Sequence, residues 1–402
     1  MEDTAYPQTI TRTVPRVKLN AHGERPALKV ERVEDADMLG LLRFEWDTLL
    51  RNSGADCLFL TWEWLATWWK HLSAGRRLHL LVVRRGDQLL AIAPLALRPP
   101  QLQRLLPFRT LEFMGGGDVG SDYLDIIVQP HEEQGVLQAL ADYLQERGLV
   151  IELSRVKPAS RRIATLVSLL GQAGWQAEQK ITDNCPYIPL AGQSWQSYMA
   201  GVSGAHRRNV RRRLKLLAED FRTVEFRRSA TETERQDDIE TFFGLHRLRW
   251  SGDERSTALT GPAVLSFHRE FSRLALERGW LRLYVLRLDG TAVASTYSFR
   301  YGDAFYYYQA GYDPAYNDHS VGLSTLALVV QEAIAEGVAE FDMLHGVESY
   351  KALWTRSSRD LVRVHCFPPS VRGTLCRRAL NLKQNLKRLV RRGPMPLQEV
   401  KA

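Results

Sequence analysis

Large apolar residues at helical spacing mark the first strong element of the chain. They occur at Trp64, Leu65, Trp68, Trp69 and Leu72. Thr61 precedes them as a candidate N-cap, and Glu63 falls in the first turn, where the helix dipole favours a carboxylate. The pattern predicts a helix anchored in the core by tryptophans. Trp62, at its beginning, is also a candidate to line a substrate pocket.

Two β-hairpins are predicted where strand-like segments flank a short glycine-containing turn. The first pairs residues 78–84 with 88–97, and the second pairs residues 281–288 with 291–300. A Gly-Asp or Asp-Gly pair joins the strands in each case, and such pairs suit tight hairpin turns because both residues tolerate positive φ.

The same order of elements follows each hairpin: a further strand, a helix, a glycine and a buried strand. The first copy has strand 110–114, a helix near 132–147, Gly148 and strand 149–153, and the second has strand 304–311, a helix near 320–336, Gly337 and strand 339–344. The repeat predicts a duplicated α/β fold in which helices flank two mixed sheets.

The pattern divides the chain into four segments. Residues 1–27 are polar and aperiodic, which predicts a flexible leader. Residues 28–190 and 191–368 form the two α/β halves, and the prolines at the junction, Pro186 and Pro189, predict an extended edge segment. Residues 369–402 form a basic amphipathic tail, which could lie on an anionic membrane or dock onto the protein itself.

Composition adds a basic excess to this organisation. Lys and Arg number 54 against 46 Asp and Glu, a formal net charge of +8. This charge suits an anionic partner such as a CoA nucleotide, RNA or a membrane surface. The four cysteines form no C-x-x-C pair, so no metal site is predicted. No apolar run approaches the ~18 residues of a membrane span, and a cytoplasmic location is expected, with peripheral attachment to the inner membrane as an open alternative.

A cluster of titratable residues follows the last predicted strand of the second half. The segment FDMLHGVESYKALW at residues 341–354 holds Asp342, His345, Glu348, Tyr350 and Lys351. It resembles the FD…G-x-E-x-Y-K signature of GNAT-type acyltransferases in the subgroup linked to CelD-type cellulose and exopolysaccharide biosynthesis proteins. The tryptophan-rich helix and the order of elements are also similar to that subgroup. The tandem arrangement resembles the Fem-type aminoacyltransferases, and together these likenesses imply a tandem GNAT-like fold.

The resemblance implies roles for the residues that follow the strand. Asp342 or Glu348 would be the general base or would hold the acceptor amine. Tyr350 would donate a proton or hydrogen bond to the leaving thiolate, and Lys351 would pair with a phosphate or an acidic substrate. His345 is a further candidate base, although a single histidine is more often structural.

Acetyl-CoA or another acyl-CoA is the co-substrate that the resemblance implies. In such a fold the pantetheine arm would pair with the central strand at Gln309 and Ala310. The pyrophosphate would lie at the start of the next helix, at Ser320, Gly322 and Leu323, because free N–H groups favour an anion there. Val321 stands where the family commonly has proline.

Two further clusters are candidate ligand sites. The glycine-rich loop 115–125 ends in Asp122, Tyr123 and Asp125, which are predicted to bind the acceptor if the first half no longer binds CoA; a structural turn is the alternative. The basic segment 206–215 resembles the R-x-x-R-R segment of the subgroup. Its Arg208 and Arg212 could bind a CoA phosphate, a lipid-phosphate sugar or tRNA, or they could simply be solvated.

The predicted function is acyl transfer from CoA to an amine or hydroxyl of a small-molecule or glycan acceptor, such as a cell-surface polysaccharide precursor. Two alternatives stay open. One is a Fem-like transferase that uses aminoacyl-tRNA and grips RNA through the basic segment. The other is a non-enzymatic binding protein of a polysaccharide system that keeps the fold without CoA affinity.

Overall fold

The computed structural model describes residues 26–100, 108–117, 119–250, 259–346 and 348–391, with side chains described up to residue 382 in the last helix. Most of the predicted leader and the end of the tail therefore lie outside the described residues, as does Asp118 of the glycine-rich loop.

The described chain contains both strands and α-helices throughout its length. The strands are β1 (Leu28–Val33), β2 (Arg77–Leu78), β3 (Leu80–Arg85), β4 (Gln88–Ala93), β5 (Leu95–Arg98), β6 (Thr110–Phe113), β7 (Ile127–Val128), β8 (Val150–Val156), β9 (Gln176–Pro189), β10 (Val224–Arg228), β11 (Leu281–Leu288), β12 (Thr291–Tyr301), β13 (Ala304–Tyr312), β14 (Glu340–Asp342) and β15 (Ser358–Phe367). The α-helices are α1 (Asp37–Asn52), α2 (Trp62–Leu72), α3 (Glu133–Arg147), α4 (Arg161–Gln172), α5 (Trp195–Gly201), α6 (Gly204–Asp220), α7 (Glu232–Arg249), α8 (Pro262–Glu277), α9 (Val321–Ala335), α10 (Lys351–Trp354) and α11 (Val371–Arg391).

These strands form two sheets flanked by helices, as the sequence predicted. The smaller sheet has the order β1-β3-β4-β7, and the larger has the order β10-β11-β12-β13-β14-β9-β15-β8-β6-β5-β2. Both predicted hairpins are present, since β3 pairs antiparallel with β4 and β11 with β12.

The predicted duplication is visible in the pairing around two helices. Strand β6 pairs parallel with β8 across α3, and β13 pairs parallel with β14 across α9. The glycine after each helix has a left-handed backbone, with φ of 57° at Gly148 and 70° at Gly337. Glycine adopts this conformation without a steric penalty and so ends each helix cleanly.

Strand β9 lies inside the large sheet, between β14 and β15. The prediction of an edge segment around Pro186 and Pro189 is therefore wrong. The prolines are tolerated because β9 changes partners there: residues 176–186 pair with β15, whereas residues 187–189 pair with β14. Strand β15 also pairs with β8, so strands cross the predicted boundary near residue 190 in both directions. That boundary stays a prediction.

Helix α2 joins the two halves through aromatic packing. Its Thr61 side chain caps the helix as predicted, accepting a hydrogen bond from the Trp64 N–H. The buried Trp64 ring meets Phe267 and Phe271 of α8 edge to face, with ring centroids 5.0 and 4.6 Å apart. Glu63, buried in the first turn, pairs with Arg278 at the end of α8. These contacts bury a continuous core across the two halves.

Candidate active site

A gap opens beside β13 because the short strand β14 pairs only with the beginning of β13. Residues 304–306 pair with residues 340–342, and the chain then leaves the sheet toward α10. Residues 307–312 of β13 therefore face no neighbouring strand on this side within the described structure. A cavity of about 270 Å³ lies there, between β12, β13, the start of α9 and α10. We call it the α9 cavity; its lining includes Arg249, Thr296, Tyr307, Ala310, Gly311, Tyr312, Ser320, Gly322, Leu323, Tyr350 and Trp354.

A β-bulge in β13 decides which side chains face this cavity. Tyr297 and Phe299 of β12 are two residues apart, but their partners Gln309 and Tyr306 are three residues apart. The extra residue shifts the alternation of side chains, so that Tyr307 and Ala310 both line the cavity. Of the two strand residues predicted to contact the cofactor, Ala310 lies in the lining, whereas Gln309 interacts with His246 of α7.

The start of α9 faces the same cavity with its backbone N–H groups. Ser320 has a left-handed backbone, with φ of 51°, and its side chain does not cap the helix. The first turn carries no acidic residue, and the first N–H groups of a helix have no intrahelical acceptor. Ser320, Gly322 and Leu323, three predicted cofactor contacts, therefore lie together at a helix end suited to an anion.

The equivalent end of α3 in the first half is already occupied by acidic side chains. Glu132 precedes the helix and binds Arg85 through two hydrogen bonds of 2.6 and 2.8 Å. Glu133 adds a second carboxylate in the first turn. Because these carboxylates already complement the helix dipole, the two halves differ at the position where a pyrophosphate would bind.

Tyr350 forms one wall of the α9 cavity together with Tyr307 and Arg249. The Arg249 guanidinium donates to the Ala310 carbonyl at 3.0 Å and lies 5.3 Å from the centre of the Tyr312 ring. Burial raises the pKa of Tyr350 above its ordinary value, against the lowering influence of Arg249. Its hydroxyl therefore stays protonated at neutral pH and can donate a hydrogen bond into the cavity.

Asp342 faces away from this cavity, into a polar network between the two halves. Its carboxylate accepts hydrogen bonds from the Tyr123 hydroxyl at 2.7 Å and from the Leu344 N–H at 2.8 Å. Asp342 is completely buried. Burial raises its pKa to about 7, although Tyr123, Arg359 and the Leu344 N–H each lower it.

His345 extends the same network to the glycine-rich loop. Its Nδ1 lies 2.9 Å from an Asp122 carboxylate oxygen, which also accepts the His345 backbone N–H. The loop itself is held by tryptophans of α2, since the Trp64 indole donates to Ser121 and the Trp68 indole donates to the Gly116 carbonyl. The structure thus joins Asp122 and Tyr123 to Asp342 and His345.

Glu348 and Lys351 pair with each other beside Tyr350. The Lys351 ammonium is buried, 3.1 Å from a Glu348 oxygen, and donates to the carbonyls of Leu344 and His345. Burial raises the pKa of Glu348, but the Lys351 ammonium and other donors outweigh this and lower it overall. Glu348 therefore stays ionised at neutral pH, and Lys351 holds the segment that carries Tyr350.

Glu348, Lys351 and the remaining predicted site residues lie outside the lining of the α9 cavity. Asp125 accepts hydrogen bonds from Ser160 and pairs with Arg162 at 2.8 Å, which ties it to the start of α4. The Trp62 indole donates to the Leu39 carbonyl between α1 and α2. Arg208 and Arg212 are exposed on α6, a helix that packs against α9.

Several cavity residues were not predicted from the sequence. They are Arg249, Tyr307, Tyr312 and Trp354. Helix α7 brings Arg249 to the cavity, β13 with its bulge brings the two tyrosines, and α10 brings Trp354. Gly311 permits this approach, since a Cβ on it would lie 2.3 Å from the His246 backbone nitrogen. A lone arginine at the end of a polar helix carries no sequence signal for such a role.

Comparison with known proteins finds a family match for one part of the chain. The acetyltransferase (GNAT) domain family matches residues 204–352, which include α9, Tyr350 and the lining of the α9 cavity except Trp354. None of the curated proteins matches the chain in sequence. Within the described residues, no group of three or more His, Cys, Asp or Glu side chains could hold a metal ion. No described helix has the length and apolar character to span a bilayer.

Solved structures share the fold at low sequence identity. FemX superposes with a TM-score of 0.59 at 13% identity, covering 90% of this chain and 99% of FemX. L-PGS from Bacillus licheniformis has a TM-score of 0.50 at 10% identity, covering 86% and 96%. The C-terminal domain of a candidate lysylphosphatidylglycerol synthetase from Agrobacterium fabrum has a TM-score of 0.52 at 12% identity, covering 88% and 96%. The chain therefore has a GNAT-like α/β fold, and its residues 204–352 match the acetyltransferase domain of the GNAT family.

Proposed function

We propose that the protein transfers an acyl group from acyl-CoA, with acetyl-CoA as the first candidate, to an amine or hydroxyl of a small-molecule or glycan acceptor. The observation that supports this most directly is the α9 cavity. One space collects the open side of β13, an uncapped helix end without acidic residues, and the protonated Tyr350. Each is a part that thioester-dependent acyl transfer requires.

The residues present fit an acyl-CoA. The backbone of residues 307–312, which is open on the side of β14, would hold the pantetheine amides, and the N–H groups of Val321, Gly322 and Leu323 would hold the pyrophosphate. Arg208 and Arg212 stand on the neighbouring helix without a carboxylate partner among the described residues, so they are available for a further phosphate. Acyl-CoA supplies the activated thioester.

The protein's own side chains have distinct roles in this acyl transfer. The acyl carbon exchanges its bond to sulfur for a bond to the acceptor nitrogen or oxygen; the acceptor loses one proton and the sulfur gains one. Tyr350 donates the hydrogen bond that stabilises the departing sulfur. Ionised Glu348 orients the acceptor or takes its proton. Lys351 holds the Tyr350 and Glu348 side chains in position. Asp342 holds the two halves together through Tyr123.

The first half would bind the acceptor rather than a second CoA. Its helix end carries Glu132 and Glu133, which disfavour a pyrophosphate by charge. The glycine-rich loop approaches the segment that leads to Tyr350, since Asp122 binds His345 directly. An amino sugar or a related polysaccharide precursor is the acceptor class that we favour, in line with the resemblance to the exopolysaccharide subgroup.

Release of free CoA thiol from acetyl-CoA tests the proposed reaction. We expect thiol release that depends on an added amino-sugar acceptor, measured with a thiol-reactive dye. Glu348→Ala and Lys351→Ala should each reduce it in folded protein, as judged by a circular-dichroism spectrum like that of the wild type. Intact turnover in both variants would contradict the assignment of this segment.

The likeness in fold to FemX favours one second candidate, a transferase that uses aminoacyl-tRNA. Exposed Arg208, Arg211 and Arg212 on α6 would then contact the RNA backbone. Transfer from aminoacyl-tRNA with no thiol release from acetyl-CoA, and RNA binding that weakens steeply with salt, would favour this candidate. If the protein binds neither acyl-CoA nor aminoacyl-tRNA, the remaining candidate is a non-catalytic binding protein.

A further inference from the structure

We propose that a second cavity, at the far edge of the first half, binds the phosphate group of an anionic ligand. This basic cavity has a volume of about 250 Å³. Its lining includes Arg32, Arg77, His79, Arg109 and Arg147, together with Glu34. None of these residues belongs to the α9 cavity, and the proposal does not depend on CoA binding.

The fold brings the four arginines to one place. Arg32 is in β1 and Arg77 is in β2, and these are edge strands of the two different sheets. Arg109 precedes β6 and Arg147 ends α3. Because β6 pairs parallel with β8, which begins just after α3, the residues before both strands meet at the same end of the sheet. The cavity therefore lies where the edges of the two sheets diverge.

The charge in this cavity is not balanced by the residues that the structure describes. Arg32 pairs with Glu34 at 2.6 Å, and Arg147 lies 5.0 Å from the centre of the Tyr143 ring. The side chains of Arg77 and Arg109 make no hydrogen bond or ion pair with any described residue. Four guanidinium groups thus face one carboxylate. A phosphate offers three acceptor oxygens and negative charge, and guanidinium groups bind such oxygens in pairs.

His79 supplies an independent sign of a ligand. Its side chain lines the basic cavity and is only 3% exposed. The Nε2 atom has no hydrogen-bond partner among the described residues, which is costly for a buried polar atom. Burial, reinforced by the charge of Arg32, lowers the pKa of His79 to about 4. The ring is therefore neutral at pH 7, and in the Nε2–H tautomer it can donate one hydrogen bond to a ligand oxygen.

The phosphate can come from a soluble compound or from a lipid headgroup. Helix α11 packs at the same end of the sheet, where its buried Cys376 meets Val150 at the start of β8. Its Val371, Leu375 and Leu382 are exposed by 77%, 52% and 59%. A basic helix with exposed apolar side chains beside a phosphate site would suit a membrane surface. A vesicle experiment is therefore the second arm of the test.

The test compares three full-length proteins: wild type, Arg77→Gln/Arg109→Gln, and the control Arg161→Gln/Arg222→Gln. The control removes the same charge from exposed arginines that also have no partner among the described residues. Each protein is titrated with inorganic pyrophosphate by calorimetry. Each is also sedimented with phosphatidylglycerol vesicles and with phosphatidylcholine vesicles, at about 150 mM salt, where surface charges are well screened. Pyrophosphate bound at α9 would be common to all three proteins, so the comparison isolates the basic cavity.

We expect the Arg77→Gln/Arg109→Gln protein to bind pyrophosphate at least about tenfold more weakly than the control, because two charge-assisted contacts are lost. That result identifies a soluble phosphate ligand. A tenfold loss of binding that occurs only with phosphatidylglycerol vesicles identifies a lipid headgroup as the ligand. This result also supports the phosphate site. Equal behaviour of this protein and the control in both assays would overturn the proposal.

Discussion

Tyr350→Phe should lower kcat for acyl transfer by about 10²-fold, the usual cost of losing a positioned proton or hydrogen-bond donor. The substitution removes one oxygen atom from the wall of the α9 cavity and leaves the ring in place. Burial holds the pKa of this tyrosine above its ordinary value, so the hydroxyl is a donor throughout the neutral range. Since the lost interaction acts on the departing sulfur, CoA affinity should change little.

A matched substitution separates this effect from a general loss of packing. Tyr284 is also buried, its hydroxyl has no partner among the described residues, and it does not line the cavity. Tyr284→Phe should therefore leave both kcat and CoA affinity unchanged. A Tyr350→Phe enzyme that keeps more than half of the wild-type kcat would remove Tyr350 from the mechanism.

The free energy of unfolding of the wild-type protein, measured relative to that of the Asp342→Asn variant, should fall by a few kcal/mol as the pH rises from 4 to 8. Burial raises the pKa of Asp342 from 3.8 to about 7 in the folded protein. The folded state therefore holds a proton that the unfolded state has already released. The stability from this group is fully present below pH 4, and it is lost as the pH rises toward 7.

Urea unfolding at several pH values measures this difference. Asparagine cannot titrate, so subtracting the two curves removes most of the contribution from other groups. The altered hydrogen bond to Tyr123 should also add a difference in the free energy of unfolding that does not vary with pH. A difference in the free energy of unfolding that does not vary with pH would mean that Asp342 is ionised in the folded protein.

Local patterns were sufficient to predict much of the fold. Helix α2, both hairpins and the two glycine-terminated helices follow from spacing, capping and turn chemistry within some fifteen residues. Their repetition predicted the duplication, which the parallel pairs across α3 and α9 confirm. The start of α9 was also placed from local sequence, and Ser320, Gly322 and Leu323 do line one cavity.

Long-range pairing could not be read in the same way. The prolines of β9 predicted an edge strand, but they lie at a change of partner strand inside the sheet. The bulge in β13 turns Gln309 away from the cavity and brings Tyr307 into it, and no residue of β13 signals this. Asp122 and Asp342 are more than two hundred residues apart, so their shared network appears only when the two halves pack together.

Calorimetric titration of CoA into the wild-type protein and two glycine variants tests the central claim most directly. Gly322 lines the α9 cavity, and a Cβ on it would lie 3.1 Å from the Tyr312 ring. Gly171 on α4 has open space around it, so Gly171→Trp is the matched control. We predict CoA binding by the wild-type and Gly171→Trp proteins and its loss in a folded Gly322→Trp protein. Unchanged CoA affinity in Gly322→Trp, or no CoA binding by the wild type, would contradict the assignment of the α9 cavity.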